Sequence, residues 1–220
     1  MSKKATEIAI LPIPASVDLA SGDSGKIWTD TLTTITSQAG AIAAYWGRQI
    51  EHPDVVQLVV EWESLEAHKD FISKPSYKPF LDNVGSVLTS PPLLYHTYFP
   101  ESSPFSEVAA APVLECLSLY FDPAYSTSEY DSNFENFKKE GEKTAAEAKG
   151  ITGGWGEEEH DKEEVEGGKA KLFAAFIGWP SVEAHLEYRK SEHFPGVVKH
   201  LRDGPKAVGV YHVAFQKFEK

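Results

Sequence analysis

The sequence WPSVEAH at residues 179–185 repeats WESLEAH at residues 62–68. The two copies lie 117 residues apart (179 − 62). Extended with a one-residue deletion, the alignment sets His96 against His212. A repeat of this length indicates a duplicated domain, because solenoid and propeller repeats span about 20 to 50 residues.

Both copies show the same order of predicted elements. In the first, residues 55–62 alternate in polarity like a half-buried strand, and Ser64 then precedes an amphipathic helix as its N-cap. The full order in each copy is β-α-β-β-α-β, which is that of a ferredoxin-like fold. We therefore predict one such repeat over residues 1–100, a linker rich in Ser, Ala and Pro over 101–112, and a second repeat over 113–220.

The predicted fold class is α+β. Each antiparallel sheet has helices on one face only, so its other face also needs to be buried. Packing the two open faces together gives one pseudo-dimeric α+β barrel within a single chain. Whether two chains associate further as a homodimer is left open by the sequence.

Composition excludes several classes of partner. The net charge of −12 disfavours nucleic acid and anionic membrane surfaces. The single cysteine, Cys116, cannot form an intramolecular disulfide, and no segment has the roughly 20 apolar residues of a membrane span. The start is too polar for a signal peptide, so we expect a cytoplasmic protein.

The two WxSxEAH junctions, with YWG at 45–47 and GWG at 154–156, resemble the dimeric α+β barrel superfamily. That superfamily includes antibiotic-biosynthesis-monooxygenase-like domains and the stress-response A/B barrel proteins. Its members include cofactor-free oxygenases, haem degraders, isomerases and polyketide cyclases, so the resemblance implies a fold more strongly than an activity.

The resemblance also implies which residues to inspect for haem. Haem-degrading members carry an iron-binding histidine where this chain has Leu81 and Val198. This argues against haem, although His200 lies two residues from the second position. We expect no cofactor.

Cyclase-like members use a tyrosine on the second helix and a histidine at the following corner. The second repeat has Tyr188 and, one residue out of register, His193 at these places. The first repeat has Phe71 and Tyr77, which cannot form that pair. The second repeat is therefore the better candidate for catalysis.

His96 and His212 occupy matching last strands. Strand alternation places His96 on one face with Leu94 and Tyr98. If that face lines the barrel, both imidazoles project into its cavity, where either can act as a general base near neutral pH. The alternative is that both are structural residues kept since the duplication.

Aromatic residues are the predicted substrate contacts. Trp46 and Trp155 on the second strands could form the base of a pocket for an aromatic ligand, with Tyr45 and Tyr98 beside it. Core packing is the alternative role for the two indoles. Open space beside small residues such as Gly153 favours an enzyme, whereas a core filled by Trp155 and Phe176 favours a scaffold.

Two further features are assigned structural roles. His68 and His185, early in their helices, are predicted to make a hydrogen bond at the helix start. The acidic tract 157–168 lacks the spacing of a calcium loop and is predicted to be a solvated connection, so no metal site is expected.

Two functional hypotheses follow. The first is a cofactor-independent enzyme, monooxygenase-like or cyclase-like, acting on a hydrophobic aromatic or polyketide-type molecule. The second is a non-catalytic ligand-binding or stress-response barrel.

Overall fold

The computed structural model describes residues 3–219 and divides the chain into two compact units. The first unit runs to Tyr98 and also includes the segment from Val213 onward, and the second runs from Phe99 to His212. In the described part of the chain, no helix is both long enough and apolar enough to cross a membrane.

The first unit has the predicted β-α-β-β-α-β order, with one additional short helix. Its elements are β1 (Ala5–Pro12), α1 (Gly22–Thr36), β2 (Ala41–Arg48), β3 (Val55–Trp62), α2 (Leu65–Ile72), α3 (Tyr77–Gly85) and β4 (Leu93–Thr97). Strand β1 pairs antiparallel with both β3 and β4, and β2 pairs with β3. All of these pairings are antiparallel. The strand order in this unit is β4-β1-β3-β2.

The second unit repeats this arrangement. Its elements are α4 (Phe105–Val108), β5 (Val113–Phe121), α5 (Thr127–Thr144), β6 (Ile151–Asp161), β7 (Lys169–Trp179), α6 (Val182–Tyr188), α7 (Phe194–Arg202) and β8 (Ala207–Val213). The strand order is β8-β5-β7-β6. The predicted α+β fold of two ferredoxin-like repeats is therefore confirmed.

Ser64 caps its helix as predicted, and Ser181 caps the matching helix of the second unit. The Ser64 hydroxyl accepts a hydrogen bond from the Ala67 amide at 3.2 Å, and Ser181 does the same for Ala184 at 3.2 Å. Each cap satisfies one of the amides that has no partner in the first helical turn. The cap also fixes the position at which the helix begins after the preceding tryptophan.

Each unit has its own core between the helices and one face of the sheet. In the first unit Leu11, Leu58 and Val60 from the sheet pack with Trp28 and Phe71 from the helices. In the second unit, the corresponding core is built around Phe121, Tyr130, Phe134, Phe173 and Trp179. Each of these cores therefore fills the space between a sheet and its own helices.

The predicted linker over 101–112 contains structure. Residues 105–108 form α4, and Phe105 and Val108 are buried there. The Phe105 ring packs edge-on against Phe176 with centroids 5.0 Å apart. The composition was misleading because these two apolar residues, three positions apart, suffice to anchor one helical turn.

The first part of the acidic tract, residues 157–161, is strand, so the prediction of a solvated loop over 157–168 is wrong there. Strand β6 continues to Asp161, which pairs with Lys169 in the ladder and as an ion pair at 2.6 Å. His160 on this extension is buried. Pairing with basic residues of β7 offsets the repulsion between neighbouring carboxylates.

The chain end also differs from the predicted second repeat over 113–220. The expected last strand stops at Val213, and a separate strand β9 (Gln216–Lys217) pairs antiparallel with β2 of the first unit. The Phe218 amide donates to the Ala44 carbonyl at 2.9 Å. Residues from Val213 onward thus complete the first unit's sheet.

Candidate functional site

A buried cluster of four residues joins three strands and a helix in the first unit. The Trp62 Nε1 donates to Glu7 Oε2 at 2.9 Å, and His68 Nε2 lies 3.5 Å from the same oxygen. His68 Nδ1 lies 2.7 Å from His96 Nε2, so one ring donates to the other. We call this set the acid–histidine cluster of the first unit.

The second unit builds the same cluster from equivalent residues. Trp179 Nε1 donates to Glu115 Oε2 at 3.2 Å, and His185 Nε2 lies 3.4 Å from that oxygen. His185 Nδ1 and His212 Nε2 are 2.8 Å apart. The clusters agree closely in geometry, so the duplicated sequence preserves one arrangement of side chains.

The WxSxEAH sequence explains how the cluster forms. Tryptophan ends a strand, the serine caps the next helix, and the histidine lies one turn into that helix, where its ring returns over the indole. The His68 and Trp62 rings stack with centroids 4.8 Å apart, and those of His185 and Trp179 at 4.9 Å. In the sheet, the β1–β4 register pairs Glu7 directly with His96.

Burial weakens the acidity of the Glu115 carboxyl. Removal of the carboxylate from water raises the pKa of Glu115 from its usual 4.5 to about 7, although the Trp179 hydrogen bond and the Arg189 charge oppose the shift. Burial, followed by the nearby Glu7 charge, likewise raises the pKa of Tyr77. The Glu115 carboxyl, with a pKa of about 7, can both take and return a proton at neutral pH.

Each acid–histidine cluster opens into a cavity inside its own unit. The first unit's cavity has a volume of about 420 Å³ and includes Glu7 and His68 in its lining. The rest of this lining is mainly apolar, with Leu11, Ile35, Leu58, Phe71, Phe80 and Leu94 among its members. The cavity therefore lies between the sheet and its helices, with a carboxyl and an imidazole in its wall.

The second unit's cavity is smaller, at about 300 Å³. Glu115 and His185 lie in its wall together with Tyr188. Its apolar lining includes Leu117, Phe137, Ile177, Phe194, Val197 and Leu201. An apolar cavity with a few convergent polar groups is typical of a site for a small hydrophobic molecule.

In sequence, the chain matches no protein-family model and no curated protein. Its structure is similar to that of an anthrone oxidase-like protein, with a TM-score of 0.69 and 12% identity over 100% of this chain and 95% of the other. It is also similar to a proposed monooxygenase from Lactobacillus acidophilus, with a TM-score of 0.61 and 9% identity over 98% and 96%. A proposed monooxygenase from Fusobacterium nucleatum gives a TM-score of 0.55 and 9% identity over 100% and 99%.

The chain shares its fold with these three structures. At these identities the likeness concerns the fold alone, and it confirms at that level the resemblance predicted from the two junctions. Both units of the chain take part in it, since the alignments cover nearly its whole length.

Within this fold, His96 and His212 lie on the opposite face of the sheet from the one expected. They face the helices of their own units, because His96 shares its face with Leu94, which lines the first cavity. Both imidazoles are buried behind His68 and His185 and are not among the residues that line the cavities. The expectation that they project into a space between the two sheets is wrong.

The residues expected from the cyclase-like pattern separate. Tyr188 lines the second cavity, and its hydroxyl is 2.8 Å from the Thr144 hydroxyl. His193 lies at the start of α7 with 54% of its side chain exposed, and it does not line the cavity. Of this pair, only Tyr188 lines the cavity.

The predicted aromatic contacts lie outside both cavities. The Trp46 ring packs edge-on against Trp28 with centroids 5.2 Å apart. Tyr45 is buried, and the Lys3 ammonium lies 4.5 Å from the centre of the Tyr98 ring.

Trp155 packs on Phe173, with ring centroids 5.2 Å apart, and donates to Asp131 at 2.8 Å. Beside it, a Cβ on Gly153 would lie 2.6 Å from the Phe134 ring, so aromatic rings fill the space expected to be open there. For Trp46 and Trp155 the core-packing alternative agrees with these contacts.

The residues present do not fit haem. Leu81 and Val198 line the cavities but offer no iron ligand, and His200 Nε2 lies 3.2 Å from Glu140 Oε1. Across residues 3–219, no group of three or more His, Cys, Asp or Glu side chains could hold a metal ion.

Sequence reasoning missed Glu7 and Glu115. Their signal was a single carboxylate within an otherwise uncharged first strand, present in both repeats. It also misassigned His68 and His185, which form the links between these carboxyls and the strand histidines rather than bonds at the helix start.

Proposed function

We propose that the chain is an oxygenase that acts without metal or organic cofactor on a hydrophobic aromatic substrate with an acidic C–H bond. The observation that carries this proposal is Glu115, a buried carboxyl with a pKa of about 7 in the wall of an apolar cavity. Glu7 occupies the same place in the first unit. The fold shared with an anthrone oxidase-like protein supports the choice of substrate class.

The first step is proton removal from the substrate. The Glu115 carboxylate takes the proton of the activated methylene, and the electron pair stays on the ring system as a delocalised carbanion. The apolar lining keeps bulk water from reprotonating that anion. Tyr188 lines the same cavity and would position the ring.

The second step consumes dioxygen. The carbanion transfers an electron to O₂, and the two radicals combine to form a C–O bond, which gives a peroxide anion. This anion takes up a proton, and the hydroperoxide loses water to form a ketone. The balance is R₂CH₂ + O₂ → R₂C=O + H₂O, so the substrate itself supplies all the electrons.

His185 and His212 hold the acid in place. His185 lies between Glu115 and His212, at 3.4 Å from the carboxyl oxygen and 2.8 Å from the second imidazole. His212 does not line the cavity, so it acts on catalysis through His185 as a positioning residue.

His212→Ala is expected to lower kcat by roughly 10- to 100-fold, because a displaced catalytic group loses its alignment with the substrate. The assay uses a Glu7→Gln background, so that only the second cavity turns over. The pH profile of kcat should shift as well, because His185 loses the partner of its Nδ1. An unchanged kcat with an unchanged pH profile would remove His212 from the mechanism.

Anthrone, a tricyclic ketone with an acidic methylene, is the test substrate. We expect the protein to consume one O₂ per anthraquinone formed, measured with an oxygen electrode and by absorbance, and to keep its rate in the presence of EDTA. The Glu7→Gln/Glu115→Gln protein reports spontaneous oxidation. Anthrone that binds but is oxidised no faster than with this control would favour the non-catalytic ligand-binding alternative.

A further inference from the structure

The two cavities differ at their entrances. Arg189 follows the end of α6, Arg202 is the last residue of α7, and both line the second cavity. Both side chains are exposed, and within residues 3–219 neither forms an ion pair with a carboxylate. The Arg189 guanidinium lies 5.8 Å from the centre of the Phe194 ring, which also lines the cavity.

The first cavity has no such cations. The shift of 117 residues sets Arg189 against Ile72 and Arg202 against Gly85, which ends α3 as Arg202 ends α7. No lysine or arginine is among the residues that line this cavity, all of which belong to the described chain. Its outer wall instead includes Leu81, which is 44% exposed.

We infer that the second cavity takes an aromatic substrate that carries a carboxylate, whereas the first cavity takes a neutral one. The part of this inference that concerns the reaction rests on the proposed function, whereas the part that concerns binding does not. Arginine guanidinium groups bind carboxylates through paired, charge-assisted hydrogen bonds. The chain has a net charge of −12, so a carboxylate needs local cations to enter.

The same arrangement orients the substrate. A carboxylate held by Arg189 and Arg202 stays at the entrance, because both side chains are exposed, while the ring reaches the apolar interior. Glu115 is buried in the cavity wall, close enough for the Arg189 charge to oppose the rise of its pKa. The two guanidinium groups therefore neutralise the substrate carboxylate near Glu115, and the ring with its acidic C–H extends toward the base.

Binding of 2-naphthoate and of its neutral amide, 2-naphthamide, tests this by isothermal titration calorimetry on the full chain at neutral pH. We expect one naphthoate site and two naphthamide sites per chain. Arg189→Met/Arg202→Met should raise the naphthoate Kd at least about tenfold and change the naphthamide Kd by less than about twofold, since only the charged hydrogen bonds are lost.

Lys190→Met/Lys199→Met is the matched control. It removes the same charge next to the same helices, but neither lysine lines the cavity. It should leave the naphthoate Kd within about twofold, because exposed charges outside the site are screened. An equal loss in both double variants would overturn the inference in favour of general electrostatic attraction.

The reverse change transfers the property to the first cavity. Ile72→Arg/Gly85→Arg should create a second naphthoate site, and both positions accept a long side chain, because Ile72 is 41% exposed and a Cβ on Gly85 meets no atom within 4 Å. A naphthoate stoichiometry that stays at one would contradict the role assigned to the two arginines. Arginine-dependent binding without oxygen consumption would instead remove only the proposed oxygenase.

Discussion

Replacing Glu7 and Glu115 together with glutamine is expected to lower anthrone turnover by about a hundredfold or more, because a positioned general base contributes about 10²- to 10⁴-fold to a rate. Glutamine keeps the shape and still accepts the tryptophan hydrogen bond, but it cannot take a proton at neutral pH. Either single variant should keep the turnover of the other cavity. Steady-state oxygen consumption measures all three proteins.

The control for this experiment is Glu66→Gln/Glu183→Gln. These carboxyls are exposed on α2 and α6, two residues before the cluster histidines, so the same chemical change is made outside the cavities. We expect it to retain nearly full turnover. If the Glu7→Gln/Glu115→Gln chain keeps its circular dichroism spectrum and more than half of its turnover, the two buried carboxyls are not the bases.

The sequence predicted the fold because the deciding signals are local. Alternation in residues 55–62, the capping hydroxyls of Ser64 and Ser181, and the repeat itself each act within one or two neighbouring elements. Two copies with the same local order gave two β-α-β-β-α-β units. The one-turn helix α4 was not predicted, because it is held by two buried side chains in a segment of otherwise linker-like composition.

The site was less predictable because it depends on contacts between distant residues. Glu7 meets His96 only through the register of β1 with β4, and it meets Trp62 across 55 positions of sequence. Alternation correctly placed His96 with Leu94 but could not say which face of the sheet the helices cover. The open face opposite the helices was therefore taken for the cavity side, and the carboxyls were not connected with the histidines.

The symmetry between the repeats divides the site into two parts. Residues shared by both copies form the acid–histidine clusters, so each cavity has a carboxyl and an imidazole in the same arrangement. Residues that differ lie around them, with Tyr188 in place of Phe71 and Arg189 in place of Ile72. Under the proposed function, the common residues carry the reaction and the differing residues select the substrate.

The acidity of Glu115 also predicts how stability depends on pH. Its pKa is about 7 in the folded chain against a usual 4.5, so folding favours the protonated carboxyl. This contribution is complete below pH 4.5 and is lost as the pH rises to about 7, which amounts to about 3 kcal/mol of unfolding free energy. Glu115→Gln cannot ionise, so urea unfolding across this range should show the variant gaining that amount relative to the unaltered chain.

Glu183 provides a control of opposite sign. Hydrogen bonds from its own backbone amide and from Ser181 lower the pKa of Glu183, so it stabilises the fold above its usual pKa and loses that contribution as the pH falls. Relative to the unaltered chain, Glu183→Gln should therefore gain stability towards acid pH, whereas Glu115→Gln gains it towards neutral pH. If the difference between Glu115→Gln and the unaltered chain stays constant from pH 4.5 to 7, Glu115 does not titrate near neutrality and could not serve as the base there.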